Sequence, residues 1–318
     1  MARHLVEFEV AGPWSLESSR EFWEEMAPVP PAEAGGEGAA LRTVFHADAD
    51  WHRVAARVTQ NGSTARVAVT GDGDLDAAAE QVRRFLSLDV DARDWPAVGD
   101  RDPVIGRIQA RRPGLRPCGF HSPYEAACWA VLTQRTGRNA ARGMRDDIVS
   151  GHGTAGAFPS PEALLRLDAE LPWRKTEYLH AVARAALDGL LDGAQLRSLE
   201  PRDAMRQVQQ VKGLGAFAAE LVVVRGANHP DVLPTQERRL AAEIAERYGP
   251  QREPAEISRD WRPYRTWAAL HLRVLRGERL RAERTGTART PRGRPSSTHP
   301  AHHGKSDVRP TFTTCPDR

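Results

Sequence analysis

The residues best suited to chemistry lie between Val208 and Leu240, in the stretch VQQVKGLGAFAAELVVVRGANHPDVLPTQERRL. Near its start, Val211-Lys212-Gly213-Leu214-Gly215 stands between two helical patterns. Two glycines one residue apart permit a tight turn whose N–H groups point outward at the start of the next helix, a geometry that suits a phosphate oxygen. Lys212 adds a positive charge beside that turn. Further on, Asp231-Val-Leu-Pro234-Thr-Gln-Glu237 leads into another helix and places the Glu237 carboxylate at its start. In isolation each piece also has a plainer reading. The glycines fit an ordinary helix–helix turn with glycine at a C-cap. Glu237 fits an acid in a first helical turn, favoured by the macrodipole and ion-paired to Arg238 or Arg239.

These groups need elements to hold them. The helical pattern Ala216–Arg225 separates the glycine turn from the Asp231–Glu237 loop. A second well-marked helix opens at Ser122-Pro123-Tyr124-Glu125, with Ser at the N-cap, Pro in the first turn and Glu placed to bond back. It continues through the apolar Ala126–Leu132 and ends at Gln134-Arg135-Thr136. From about Gly99 to Arg276 apolar residues recur every three to four positions, which predicts an all-helical region. Its further helices are expected at Arg138–Val149, Pro161–Leu167, Thr176–Leu191, Pro201–Gln210, Glu237–Tyr248 and Trp261–Arg276.

The first 98 residues read differently. Leu5, Glu7 and Glu9 alternate with Val6, Phe8 and Val10, a strand period. Val54–Gln60 and Thr64–Thr70 flank Asn61-Gly62, which predicts a hairpin with a type I′ turn. Helices are expected at Ser15–Met26 and at Leu75–Leu88, where Leu75, Ala79, Val82, Phe85 and Leu86 form one stripe. Pro30–Gly38 reads as a loop. Beyond Arg281 almost nothing large and apolar remains, so no burial offsets the entropy of ordering. The expected organisation is an α+β domain with a small antiparallel sheet over 1–98, an all-α domain over 99–280 and a disordered basic tail over 281–318.

Several function classes are disfavoured. Cys118, Cys128 and Cys315 lie far apart without a Cys-x-x-Cys pair, against a disulfide scaffold, a zinc finger or an iron–sulfur cluster. No run of about 18 apolar residues suggests a membrane span, and the start MARHLVEFEV lacks the layout of a signal peptide. A cytoplasmic, nucleoid-associated protein is expected. A net charge of +3 and a pI near 8.9 are compatible with nucleic acid and decide nothing alone.

In order and spacing these motifs resemble the helix-hairpin-helix DNA glycosylases, and within them the 3-methyladenine DNA glycosylase II family. The likeness extends over roughly residues 5–276: Gly12-Pro13-Trp14-Ser15-Leu16, Phe120–Thr136, the hairpin, the Asp231–Glu237 loop, and Trp261–Arg273 as the final helix. It implies an α+β domain followed by a helix-hairpin-helix domain acting on double-stranded DNA as a monomer. It further implies that the target base is flipped out, with Gln134, Arg135 and Thr136 at the inserted element, and that Lys212, Gly213, Leu214 and Gly215 contact phosphate. Counted without gaps from Gly215 and from Asp231, the family's catalytic aspartate falls on Glu237, a glutamate here. The lysine of bifunctional relatives is replaced by Ala216 or Phe217, which implies monofunctional hydrolysis. The base pocket of the family maps to Phe217, Leu221 and Arg273, so only one ring is kept, and an arginine there opposes a cationic base. Trp129, Trp173, Tyr178 and Trp267 are the alternative rings. No metal or organic cofactor is implied beyond a structural monovalent cation near Gly213 and Gly215. The expected activity is excision of alkylated bases of the 3-methyladenine type in base excision repair. A damaged-DNA-binding protein without catalysis, or a glycosylase for another lesion, stands as the alternative.

Overall fold

The computed structural model describes residues 2–26 and 40–287. The expected loop Pro30–Gly38 and Cys315 lie outside the described residues. A four-stranded antiparallel sheet is built from β1 (Ala2–Glu9), β2 (Leu41–His46), β3 (Arg53–Asn61) and β4 (Thr64–Gly71), in the order β1-β4-β3-β2. The outer strand β2 escapes a periodicity reading because four of its six residues are buried, which blurs the alternation. The β3–β4 hairpin forms as expected, with a different turn. Asn61 pairs with Thr64, so the two-residue loop is Gly62-Ser63. Only Gly62 has positive φ there, the pattern of a type II′ turn rather than I′.

Helices α1 (Leu16–Met26) and α2 (Leu75–Phe85) contribute Leu16, Phe22, Val82 and Phe85 to a core shared with the sheet residues Val54, Val58, Val67 and Val69. Two helices that follow, α3 (Trp95–Arg101) and α4 (Pro103–Arg111), were not anticipated as separate elements. Each is short and opens with proline in its first turn.

The helical region is centred on α5 (Pro123–Thr133), which is buried along most of its length. Around it stand α6 (Arg138–His152), α7 (Pro161–Leu164), α8 (Lys175–Leu187), α9 (Gly193–Ser198), α10 (Pro201–Gln209) and α11 (Ala216–Leu221). The helix expected over Ala216–Arg225 loosens midway, since Val222–Gly226 forms a wider π turn. Three successive β-branched valines sit there, residues that crowd an α-helix at χ1. The turn buries Arg225 and Asn228, whose side chains reach back to Cys118 O (2.9 Å) and Arg84 O (2.7 Å).

Helices α12 (Arg238–Tyr248), α13 (Pro254–Ile257) and α14 (Arg265–Thr287) complete the chain's described part. Trp261 and Trp267 anchor a third core with Trp95, Leu240 and Ile244. The last helix starts later and ends later than Trp261–Arg276, because good helix formers continue past Arg276 and Arg279 pairs with Glu283 one turn on (3.5 Å). The first residues of the expected disordered tail, through Thr287, are therefore helical, and 288–318 lie outside the described residues. The described residues up to Glu278 form one compact unit. Among the described residues no helix is long and apolar enough to cross a membrane.

Candidate active site

The glycine turn joins α10 to α11 as a hairpin. Val211 and Leu214 are buried and fasten it, whereas Lys212 and Gly215 are exposed. Gly213 has φ +92°, and a Cβ there would come within 2.4 Å of the Tyr178 ring, so glycine is required on both counts. Gly215 is the N-cap of α11 and leaves that helix's first N–H groups without a side-chain cap. Lys212 Nζ lies 2.5 Å from Glu177 Oε1 on α8, with both groups at the surface.

The end of α5 is tied to this hairpin. Gln134 caps α5, and its Nε2 donates to Gly213 O at 2.7 Å. Behind it Lys175 is fully buried, and its Nζ donates to Val131 O (3.1 Å) and Gln134 O (2.6 Å). Desolvation holds the pKa of that amine below the ordinary lysine value. Lys175 thus supplies a cation where the α5 carbonyls run out of helical donors. Beyond this anchor the chain turns sharply: Arg135 has φ +51° and is exposed, its guanidinium 5.4 Å from the Trp173 ring, which is itself 59% exposed. Thr136 Oγ1 donates back to Gln134 O at 3.0 Å. Gln134, Arg135 and Thr136 therefore form a fixed protrusion beside the hairpin.

Glu237 is the N-cap of α12 in an extended conformation, and its side chain does not cap its own helix. The ion pair expected with Arg238 or Arg239 is replaced by one with Arg273 of α14, whose Nε lies 2.5 Å from Glu237 Oε1. The Glu237 carboxylate thus leaves the N-terminus of α12 uncapped and meets a cation brought by α14 instead. The contact is an ion pair without an aligned N–H, since Arg273 Nε has no hydrogen-bond partner. Glu237 is 30% exposed and Arg273 13%. Burial lowers the Arg273 pKa, and Glu237 opposes that shift.

The loop before Glu237 is held by Glu220 of α11, which is only 6% exposed. Its carboxylate accepts from Thr235 N (2.7 Å), Thr235 Oγ1 (3.0 Å) and Gln236 N (3.0 Å). The hairpin helix and the acid-bearing loop are thus one unit, joined through a buried charge. A lone glutamate inside the apolar run Ala218-Ala-Glu220-Leu-Val was the sequence signal for it. Nothing comparable marked Lys175.

The pocket residues fall in several environments. Phe217, on the first turn of α11, is 49% exposed. Leu221 and Trp129 are half-buried against the main helical core. Trp267 is buried in the third core, out of reach of a ligand, and Tyr178 is half-buried against Gly213. Trp173 remains the exposed aromatic next to Arg135. Among the described residues no group of three or more His, Cys, Asp or Glu is arranged to hold a metal.

No family profile matches the chain. It is 26% identical over 214 residues to a DNA-3-methyladenine glycosylase of Bacillus subtilis, covering 61% of this chain and 71% of that one. It is 29% identical over 190 residues to DNA-3-methyladenine glycosylase 2 of Escherichia coli, covering 55% and 65%, so the match spans just under two thirds of that relative. A 3-methyladenine DNA-glycosylase from Archaeoglobus fulgidus superimposes with a TM-score of 0.66 at 18% identity over 84% of this chain and 96% of the other. The Clostridium acetobutylicum 8-oxoguanine glycosylase/lyase in complex with double-stranded DNA gives 0.57 at 12% identity, over 89% and 98%. The sheet and the helical body thus share the fold of these two glycosylases. The curated relatives it matches carry the name DNA-3-methyladenine glycosylase.

Proposed function

We propose that the protein is a monofunctional DNA N-glycosylase that removes alkylated bases from double-stranded DNA by hydrolysis. The observation that carries this reading is the placement of Glu237: a partly exposed carboxylate outside its helix, on a loop pinned by Glu220 to the helix that follows the hairpin. A base within a duplex is unreachable, so it is flipped out at a cost of a few kcal/mol. Arg135, carried on the protrusion that Lys175 and Gln134 brace, fills the gap. Lys212 and the N–H groups of Gly213 and Gly215 hold a phosphate without reading sequence, whereas the N–H of the buried Leu214, also expected at the phosphate, already donates to Val211 O (3.0 Å). Glu237 then faces C1′, where it stabilises the oxocarbenium-like sugar and orients the attacking water. With Ala216 and Phe217 after the hairpin, no amine stands there to form a Schiff base. Phe217, Leu221, Trp129 and Arg273 are assigned to the base side of the site.

The same reading keeps the division of the chain near residue 98 and action as a monomer in the cytoplasm. It also keeps a monovalent cation at the hairpin. For that ion the turn supplies backbone carbonyls, of which Gly213 O already accepts from Gln134. Its part would be to support the phosphate contact.

The test is abasic-site formation on a panel of alkylated duplexes by wild type and Glu237→Gln. Wild type is expected to release bases, and the variant to lose on the order of 100-fold or more in rate while still binding DNA. Wild-type binding with no abasic sites on any lesion would overturn catalysis in favour of a damage-sensing protein.

A further inference from the structure

We propose that Arg273 sets the lesion class of this site, selecting modified bases that are neutral in DNA over cationic N-alkylpurines. The inference rests on Glu237 being the carboxylate at C1′. The two side chains are in contact, with Arg273 Nε 2.5 Å from Glu237 Oε1. A carboxylate that approaches C1′ therefore brings a guanidinium within a few ångströms of the glycosidic bond. Arg273 is held there by burial on α14, at 13% exposure, and does not swing freely into solvent.

The surroundings deepen the positive field. Arg225 interacts electrostatically with Glu237, Arg138 and Arg273. Arg138, at the start of α6, interacts with Arg239 and Arg273. Arg273 and Arg225 thus both act on Glu237, and Arg138 and Arg239 add positive charge beside Arg273. In that field a base already carrying a positive charge is repelled as it enters. It also leaves as a neutral species, so a guanidinium offers its departure nothing.

A neutral base behaves in the opposite way. Its C1′–N bond breaks with the electron pair passing to the base, which leaves as an anion, while the sugar becomes oxocarbenium-like. Arg273 stabilises the anion and Glu237 the sugar, so the ion pair acts on both halves of the charge separation. Water then adds to C1′, and its proton ends on the departed base. The reading also accounts for the sparse aromatic surroundings. Rings that grip a cation by its charge have no such task with a neutral base, and the two pocket positions after the hairpin hold Leu221, half-buried, and Phe217, half in solvent.

The experiment measures single-turnover release from duplexes carrying 1,N6-ethenoadenine, which is neutral, or 7-methylguanine, which is cationic. Wild type, Arg273→Gln and Arg273→Lys are compared as full chains. Wild type is expected to be faster on ethenoadenine, and Arg273→Gln to shift the ratio of rates toward 7-methylguanine by roughly 10-fold or more, as loss of one charge at this range implies. Arg273→Lys keeps the charge and should keep the preference. Should Arg273→Gln fail to fold, the wild-type ratio and the lysine variant still decide. Faster wild-type release of 7-methylguanine, or a ratio indifferent to Arg273→Gln, overturns the inference and leaves the glycosylase reading intact. No release of either base by wild type, with DNA bound, overturns both.

Discussion

Glu220 shows how much a single buried carboxylate organises at the residue scale. It spends its acceptor capacity on two backbone N–H groups and one hydroxyl of Thr235 and Gln236, and so determines where Glu237 begins. Glu220→Gln replaces one acceptor oxygen with an N–H₂ that opposes those donors. Misplacement of the acid by about 1 Å is enough to cost up to 100-fold in rate. The expected outcome is a fall of roughly 10- to 100-fold in kcat with DNA affinity changed by less than about 3-fold, because the phosphate contacts lie elsewhere. Single-turnover rates alongside equilibrium binding check this. An equal loss in both would mean that the variant disturbs the hairpin as a whole. That Glu237 stands at the start of a helix was legible in the chain. Its partner was not. Neighbouring Arg238 and Arg239 looked sufficient, and only the tertiary placement of α14 brought Arg273 to the carboxylate.

Among the elements, α5 and the hairpin depend on one another. The last α5 carbonyls lack helical donors, and Lys175 supplies them from α8 while Gln134 reaches Gly213. Lys175→Met keeps the length of the side chain and removes two charge-assisted hydrogen bonds, leaving Val131 O with Gln134 N and Gln134 O with Thr136 Oγ1 as their remaining donors. A loss of about 2–3 kcal/mol is expected by denaturant unfolding, with weaker DNA binding because the Arg135 turn is no longer braced. A stability unchanged within about 0.5 kcal/mol would show that water replaces the amine. Elements with strong local signals, such as α5 with its Ser122 cap or the β3–β4 hairpin, were legible in advance. The short helices α3, α4, α9 and α13 were not, because four to nine residues give too few periods to read.

For the molecule as a whole, acid should be the weak side. His271 is fully buried, its Nδ1–H donating to Trp267 O at 2.8 Å and its Nε2 without a partner, and burial pushes its pKa from 6.5 down to about 4. His229 is shifted to about 4 by burial and by Arg197. In each case the unfolded chain binds the proton more tightly. The stabilisation is complete above pH 6.5 and is lost as pH falls from there toward 4. For His271 alone the loss amounts to about 3 kcal/mol. The measurement is Tm at pH 7 and pH 5 for wild type and His271→Leu, with a smaller drop expected in the variant. An identical drop would place the acid sensitivity elsewhere.

Sequence alone settled whatever is local. The β3–β4 hairpin, the turn that needs Gly213, the cap at Ser122 and the spacing from Gly215 to Glu237 all follow from residues near one another in the chain. Tertiary structure decided which charges meet. Glu220 with Thr235, Lys175 with Gln134 and Glu237 with Arg273 lie 15, 41 and 36 positions apart. Their pairing depends on how α8 and α11 pack against α5 and how α12 and α14 share the third core, and packing is governed by buried area and shape, to which a count along the chain is blind.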